Sequence, residues 1–236
     1  MVTGQACRTY FHMPTTALLS ATYFGPIEWY QKLYRYDHIV IEQHDHFVRQ
    51  TYRNRCVIAT TQGLQALTVP VTAPDDRRSL TKTPMADIRV SDHGNWRHLH
   101  WNALLSAYGE SPFFEFYADD LQPFFTHSWD RLIDFNMAVT HKVCELLDFE
   151  PHIRLSESWM PSGTPGDGAV ATPSAPADLL TPADFRNVIR PKHPLPDPDW
   201  KPRPYHQVYE RKYGFQPNLS ILDLLFNEGN EAILYL

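Results

Sequence analysis

The sequence predicts an α/β fold: a single domain with a Rossmann-like βαβ start, a mixed sheet with a hairpin, and a helical C-terminal half. Three observations predict it. First, the apolar run "TALLSA" (16–21) meets the turn-forming pair Gly25-Pro26, and "HIVIEQ" (38–43) follows as a second β-like run. Between them, Ile27, Tyr30, Leu33 and Tyr34 recur at about helical spacing, with Pro26 suited to the first helical position. Strand, turn, helix and strand at this spacing imply a parallel pair. Second, "NRCVIAT" and "LQALTVPV" flank Thr61-Gln62-Gly63, which reads as a hairpin. Third, the last third of the chain ends in "NLSILDLLFNEG", a strongly signalled helix.

The remaining elements follow from the same signals. "ADIRV" (86–90) reads as a short strand. Asp92 reads as the N-cap of a helix whose stripe is Trp96, Leu99, Ala103, Leu104, Ala107 and Tyr108. A further helix is expected from Pro112 through "SPFFEFY", and a long one from Ser128 to Leu147. Residues 205–213 read as helical up to Gly214. In the terminal helix Ser220 is the N-cap, Asp223 the third helical residue, Leu219 and Leu224 a hydrophobic staple, and Gly229 the stop. Apolar residues cover most of that helix, so it is expected to be buried.

Residues 151–204 break the pattern, holding 12 of the chain's 20 prolines. Proline fixes φ and removes a backbone donor, so this segment reads as a partly disordered insert or lid, without a continuous helix or central strand. The expected organisation is an N-terminal extension (1–15), one α/β domain built from 16–150 and 205–236, and the 151–204 insert.

Composition bounds the function. The 236 residues are 43% hydrophobic and 13% aromatic, enough for a sizeable core. A net charge of -6 argues against a general nucleic-acid binder. Cys7, Cys56 and Cys144 form neither a disulfide framework nor a zinc spacing, and no apolar run is long enough to span a membrane. With no clean signal-peptide pattern at the start, a cytoplasmic location is expected.

Several segments taken in order carry a resemblance: "LLSATYFGPIEWYQKL", "DHIVIEQHDHFVRQTYRNRCVI", "LTVPV", "WRHLHWNALLSAYGESPFFEFY" and "FQPNLSILDLLFNEG". Together they resemble the WbqC-like protein family, over roughly 16–150 and 205–236. The resemblance implies work in bacterial polysaccharide or O-antigen assembly, with glycine or aminoacyl transfer onto a sugar as one activity. It supplies no catalytic residues.

Candidate site residues come from the residues themselves. In "YRNR", Tyr52, Arg53, Asn54 and Arg55 combine two guanidinium groups with further donors. Strand alternation sends Arg53 and Arg55 to one face, the natural clamp for a phosphate or carboxylate, against a plain reading as solvated strand ends. "YFGPIEWY" places Tyr23 and Glu28 at a helix start just past a buried strand, where α/β folds bind ligands. In "EQHDHF", Glu42 and His44 are the candidate base. A metal on Glu42, His44 and His46 is disfavoured, and none is expected. Trp101 could stack a sugar, while Trp96 and His100 read as helix core.

The leading expectation is thus a transferase whose partner is a nucleotide sugar or other phosphorylated small molecule, with an arginine-based anion site. No P-loop, ATP-grasp or acyl-CoA signature names a cofactor. The rivals are a scaffold that binds polysaccharide-pathway enzymes and a nucleotidyltransferase. The second lacks its paired histidines.

Overall fold

The computed structural model describes residues 15–74, 79–162 and 182–236. Most of the expected N-terminal extension, and the centre of the proline-rich segment, lie outside the described residues.

The opening unit forms as its pattern dictates. β1 (Thr16–Ser20) and β2 (His38–Glu42) pair in parallel, Thr16 opposite His38 and Ser20 opposite Glu42, joined through α1 (Ile27–Arg35). Pro26 is the N-cap of α1 rather than its first helical residue. The hairpin also forms, β3 (Arg55–Thr60) against β4 (Gly63–Thr68), with Gly63 at φ 104° closing the turn. It is a separate two-stranded sheet, not an extension of the parallel one. Residues 86–90 are strand only at β6 (Arg89–Val90), which pairs with β5 (Val71–Thr72).

The proline-rich segment is more integrated than its composition implies. β7 (Ile153–Leu155) pairs with β2, and β8 (Ala183–Asp184) pairs with β1, completing a four-stranded parallel sheet in the order β7-β2-β1-β8. Both strands are short, sit at the sheet edges, and contain no proline. That is how a proline-dense segment can join a ladder. The chain 182–200 then folds over the sheet and α1.

The helical half comprises α2 (Trp96–Tyr108), α3 (Phe114–Leu121) and α4 (Leu132–Leu146), then α5 (Glu210–Tyr213) and α6 (Ile221–Glu228). Three boundaries move. Asn95, in a left-handed conformation at φ 48°, caps α2 in place of Asp92. Arg131 is extended and bridges to Arg89, so α4 starts four residues later than expected. Of 205–213 only the last four residues are helical, because Tyr205 and Gln207 turn inward to meet Asp223.

α6 is the centre of the core, with Ile221 through Asn227 all buried. Backbone bonds fix its start to two other elements: Ser220 N–H donates to Val57 O, and Ile221 N–H to Gly25 O, both at 2.9 Å. Ser220 Oγ accepts weakly from Leu222 N–H and donates to Phe24 O at 2.8 Å. Gly229 stops the helix at φ 58°, where an added Cβ would lie 2.6 Å from the Phe113 ring. Asp223 is not a capping residue. Its buried carboxylate accepts from the Tyr108 and Tyr205 hydroxyls, each at 2.7 Å, and from Gln207 Nε2 at 3.4 Å.

Asp223→Ala strands three donors beside the core. It should lower the unfolding free energy by about 2–4 kcal/mol, read as an earlier urea midpoint at unchanged slope.

Candidate functional site

All four parallel strands end on one edge of the sheet, and the residues that follow them meet there. β2 runs into Glu42–Asp45, β7 into Ser156–Met160, and β8 into Arg186–Arg190, with Thr22 just past β1. In open α/β sheets this carboxyl edge is where ligands bind.

Arg186 ties the edge together. It forks onto Asp184, with Nε 3.0 Å from Oδ1 and Nη2 2.7 Å from Oδ2. Its Nη1 donates to Asp45 Oδ2 at 3.1 Å and to the Met160 carbonyl at 2.9 Å. Glu42 lies below at 1% exposure. Its carboxylate accepts from His44 N–H (2.7 Å), Ser156 Oγ (2.8 Å) and Met160 N–H (2.8 Å). Glu42 therefore fastens the segment after β7 to β2, and its oxygens are committed to that role. His44 Nε2 lies 3.1 Å from the Ser156 carbonyl. A carbonyl can only accept, so this nitrogen carries a proton, and in the neutral ring Nδ1 is the nitrogen with the lone pair.

Above this knot lies a narrow cleft of about 10 Å³ of open space, room for one water-sized group. Arg53, Arg186 and Arg190 line it with Ser20, Thr22, Thr51 and Tyr52, and among the described residues no carboxylate does. Arg53 is nearly buried, and its one ion-pair partner among the described residues is Asp45, distant at 3.8 Å. Burial pushes its pKa down to about 10; Arg190 and Arg186 add to the depression, and Asp45 opposes it. Arg190 donates to Asn187 Oδ1 at 3.1 Å and has no carboxylate partner among the described residues. Ser20 and Thr22 also line the cleft, and among the described residues their buried hydroxyls have no hydrogen-bond partner.

The "YRNR" segment is split by this arrangement. Each carbonyl of residues 52–54 is taken by a different element: Tyr52 O by Tyr23 N–H (2.9 Å), Arg53 O by Asn136 Nδ2 (2.7 Å), and Asn54 O by Val69 N–H (2.8 Å). Asn54 returns the last bond through Nδ2 to Val69 O at 2.8 Å, so its side chain is structural. The rigid loop presents Arg53 to the cleft. Alternation does not carry Arg55 with it, because β3 begins only at Arg55. Its Nε donates instead to Thr68 Oγ1 on the hairpin at 3.1 Å.

The other expected residues separate likewise. Tyr23 is enclosed, its hydroxyl bonded to His100 Nδ1 at 2.9 Å, and burial holds its pKa well above the ordinary phenol value. Trp101 packs on Phe114 and Phe125, not on an open face. Glu28 is buried beside Asn218, whose Nδ2 donates to Oε2 at 2.8 Å. Burial raises its pKa to about 7; Asp197 adds to the rise, while Asn218 and Lys32 oppose it. Lys32, itself buried, pairs with Asp197 at 2.5 Å and lies over the Phe185 ring. Tyr52 joins this cluster to the cleft, its pKa pushed up to about 12 by burial and then by Glu28. No group of metal-ligating side chains gathers among the described residues.

The comparisons fit a chain built as one unit through the proline-rich segment. The WbqC-like protein family model matches residues 21–235. The chain belongs to that family. An uncharacterized protein of Mycobacterium tuberculosis, Rv1507c, is 25% identical over 235 residues, covering 95% of this chain and 98% of its own length. No solved structure gives a significant match. The family match thus includes β7, β8 and the arginines that follow β8, which the reading from sequence set aside as an insert. The signal for them was "DFRNVIR", with two arginines four residues apart. One helical turn, closed by Ile189 N–H to Phe185 O at 2.9 Å, puts both on one side.

Two predictions follow from these bonds. Glu42→Ala should free the 156–160 segment, so limited proteolysis should cut there well before wild type is cut anywhere else in the described chain. Glu28 is easier to protonate when folded than when unfolded. The folded chain therefore holds the extra proton between the ordinary carboxyl value near 4.5 and about 7. Stability should fall as pH rises across that window, by on the order of 2 kcal/mol after allowing for screening. Urea midpoints at pH 5 and pH 8 should differ less in Glu28→Gln than in wild type.

Proposed function

We propose that this chain is a group transferase of surface-polysaccharide assembly that holds a phosphate- or carboxylate-bearing small molecule in the cleft at the carboxyl edge of the sheet. The reaction class is the expectation that the resemblance to the WbqC-like family carries. The ligand chemistry comes from the cleft. The observation that carries it is the wall itself: Arg53 and Arg190 stand without close carboxylates beside two buried hydroxyls, Ser20 and Thr22, that lack partners. An oxyanion satisfies all four at once. It accepts from both guanidinium groups and both hydroxyls, and offsets the burial and the neighbouring positive charge that depress the Arg53 pKa.

The cleft is closed to anything larger than a water, so binding requires the 186–192 turn and the 49–53 loop to part. Transfer to an amine or hydroxyl also needs a proton acceptor. In this reading His44 serves through Nδ1, which its Nε2–H bond to Ser156 O leaves free. Glu42 positions it, through the bond from the His44 N–H.

A thermal-shift screen of inorganic phosphate, nucleotides, nucleotide sugars, glycine and other amino acids tests the reading. At 100 times its Kd a ligand adds about 2.7 kcal/mol, a rise of about 5–11 °C for a chain of this size. We expect at least one anion to give that rise in wild type and in Arg55→Ala, and to lose it in Arg190→Ala and Arg53→Lys. Arg190 is half-exposed, so its loss should leave the fold intact. An unchanged response in Arg190→Ala, or no response to any anion, sinks the proposal.

A further inference from the structure

Lys192 is an exposed lysine close in sequence to the cleft wall. It is two residues past Arg190, at most about 7 Å of extended chain, on one wall. On the facing wall Gln50 precedes Thr51. The two side chains meet, Lys192 Nζ donating to Gln50 Oε1 at 2.7 Å. The bond thus joins the chain just past Arg190 to the chain just before Thr51, and neither Lys192 nor Gln50 lines the cleft itself. Its partner is a neutral amide, and among the described residues no carboxylate pairs with it or with Arg49 beside Gln50. An ammonium on an amide gains a stronger, charge-assisted bond by exchanging that amide for a phosphoryl oxygen, and its three donors do so without the planar match an arginine requires.

We infer that the ligand is a diphosphate. One phosphoryl group is held by Arg53 and Arg190 inside the cleft, and the second by Lys192 outside it, where it displaces Gln50. This rests on the anion-cleft reading above and narrows it to the class of diphosphate esters, which includes nucleoside-diphosphate conjugates. Lys192 then does two things. It latches the empty cleft through Gln50 and takes the outer phosphoryl group of the filled one, so the ligand itself releases the latch.

Calorimetric titration of the full chain with inorganic phosphate and with pyrophosphate, at matched ionic strength, tests this. Wild type should bind pyrophosphate at least tenfold more tightly than phosphate. Lys192→Ala should lose about that tenfold for pyrophosphate and stay within twofold of wild type for phosphate. Arg211→Ala, a cation on α5 outside the cleft wall, should leave both unchanged. Equal binding of the two anions, or equal weakening of both by Lys192→Ala, overturns the diphosphate inference and leaves the anion cleft standing. Binding of neither anion to wild type overturns the diphosphate inference, and the anion cleft falls with it only if the wider screen above is also silent.

Discussion

The organisation of this molecule depends on one constraint: three carboxylates, Glu42, Asp45 and Asp184, crowd the carboxyl edge of the parallel sheet, and Arg186 lies against all of them. Asp184 ends β8 and Glu42 ends β2, so strands on opposite sides of β1 are tied through a single guanidinium group. Buried acids in such a cluster are tolerable only when paired and hydrogen-bonded. Arg186 supplies the charge, and Ser156 Oγ, the Met160 N–H and the His44 N–H supply the remaining bonds. The knot thus forces the chain after β7 and the chain after β8 to the same place. It also explains why a segment dense in proline can be part of the core: its order comes from side-chain bonds to the sheet rather than from its own ladder or helix.

The cleft above follows from how the positive charge is divided. Arg186 is spent on the knot, with donors directed to Asp184, Asp45 and the Met160 carbonyl. Arg53 and Arg190 come from separate loops and face the same space without equivalent partners. Tertiary bonds hold the Arg53 loop so firmly that its side chain cannot retreat to solvent at little cost. Three different elements, at Tyr23, Asn136 and Val69, occupy its three successive carbonyls. A rigid loop presenting a desolvated guanidinium group is preorganised for an anion, since most of the ordering is complete before a ligand arrives.

The fold was legible where local signals and tertiary packing agree. The β1-α1-β2 unit, the hairpin and α6 carry periodicity, turn residues and caps that fix type and approximate bounds. β7 and β8 were not legible, because three and two residues carry no period and their pairing is decided by the Arg186 knot. The site was half legible for the same reason. Arg53 and Tyr52 stand out as donors beside a strand, but the roles of Asn54 and Arg55 depend on where β3 begins. Glu42 offered a carboxylate at a strand end, which fits a base or an anchor equally, and only its three donors tell them apart. Arg190, Ser20 and Thr22 are ordinary residues until the fold brings them together.

The buried pair Lys32–Asp197 completes the physical picture. An ammonium in the first two turns of α1, covered by chain from the proline-rich segment, costs several kcal/mol to desolvate unless an acid meets it. Asp197 does so, but it also brings a second carboxyl group close to Glu28, and two acids with one lysine cannot all be charged cheaply. Burial first, and Asp197 in addition, keep the proton on Glu28 up to about pH 7. The segment 182–200 is thereby fixed at two points, Arg186 at the sheet edge and Asp197 on α1. The turn carrying Arg190 and Lys192 lies between them. Val188 and Ile189 of that stretch are buried in the core, so the part that can move locally without unfolding the knot is the partly exposed turn from Arg190 to Lys192, which meets the facing loop through the neutral Gln50. The cleft needs that freedom if it is to admit anything larger than a water.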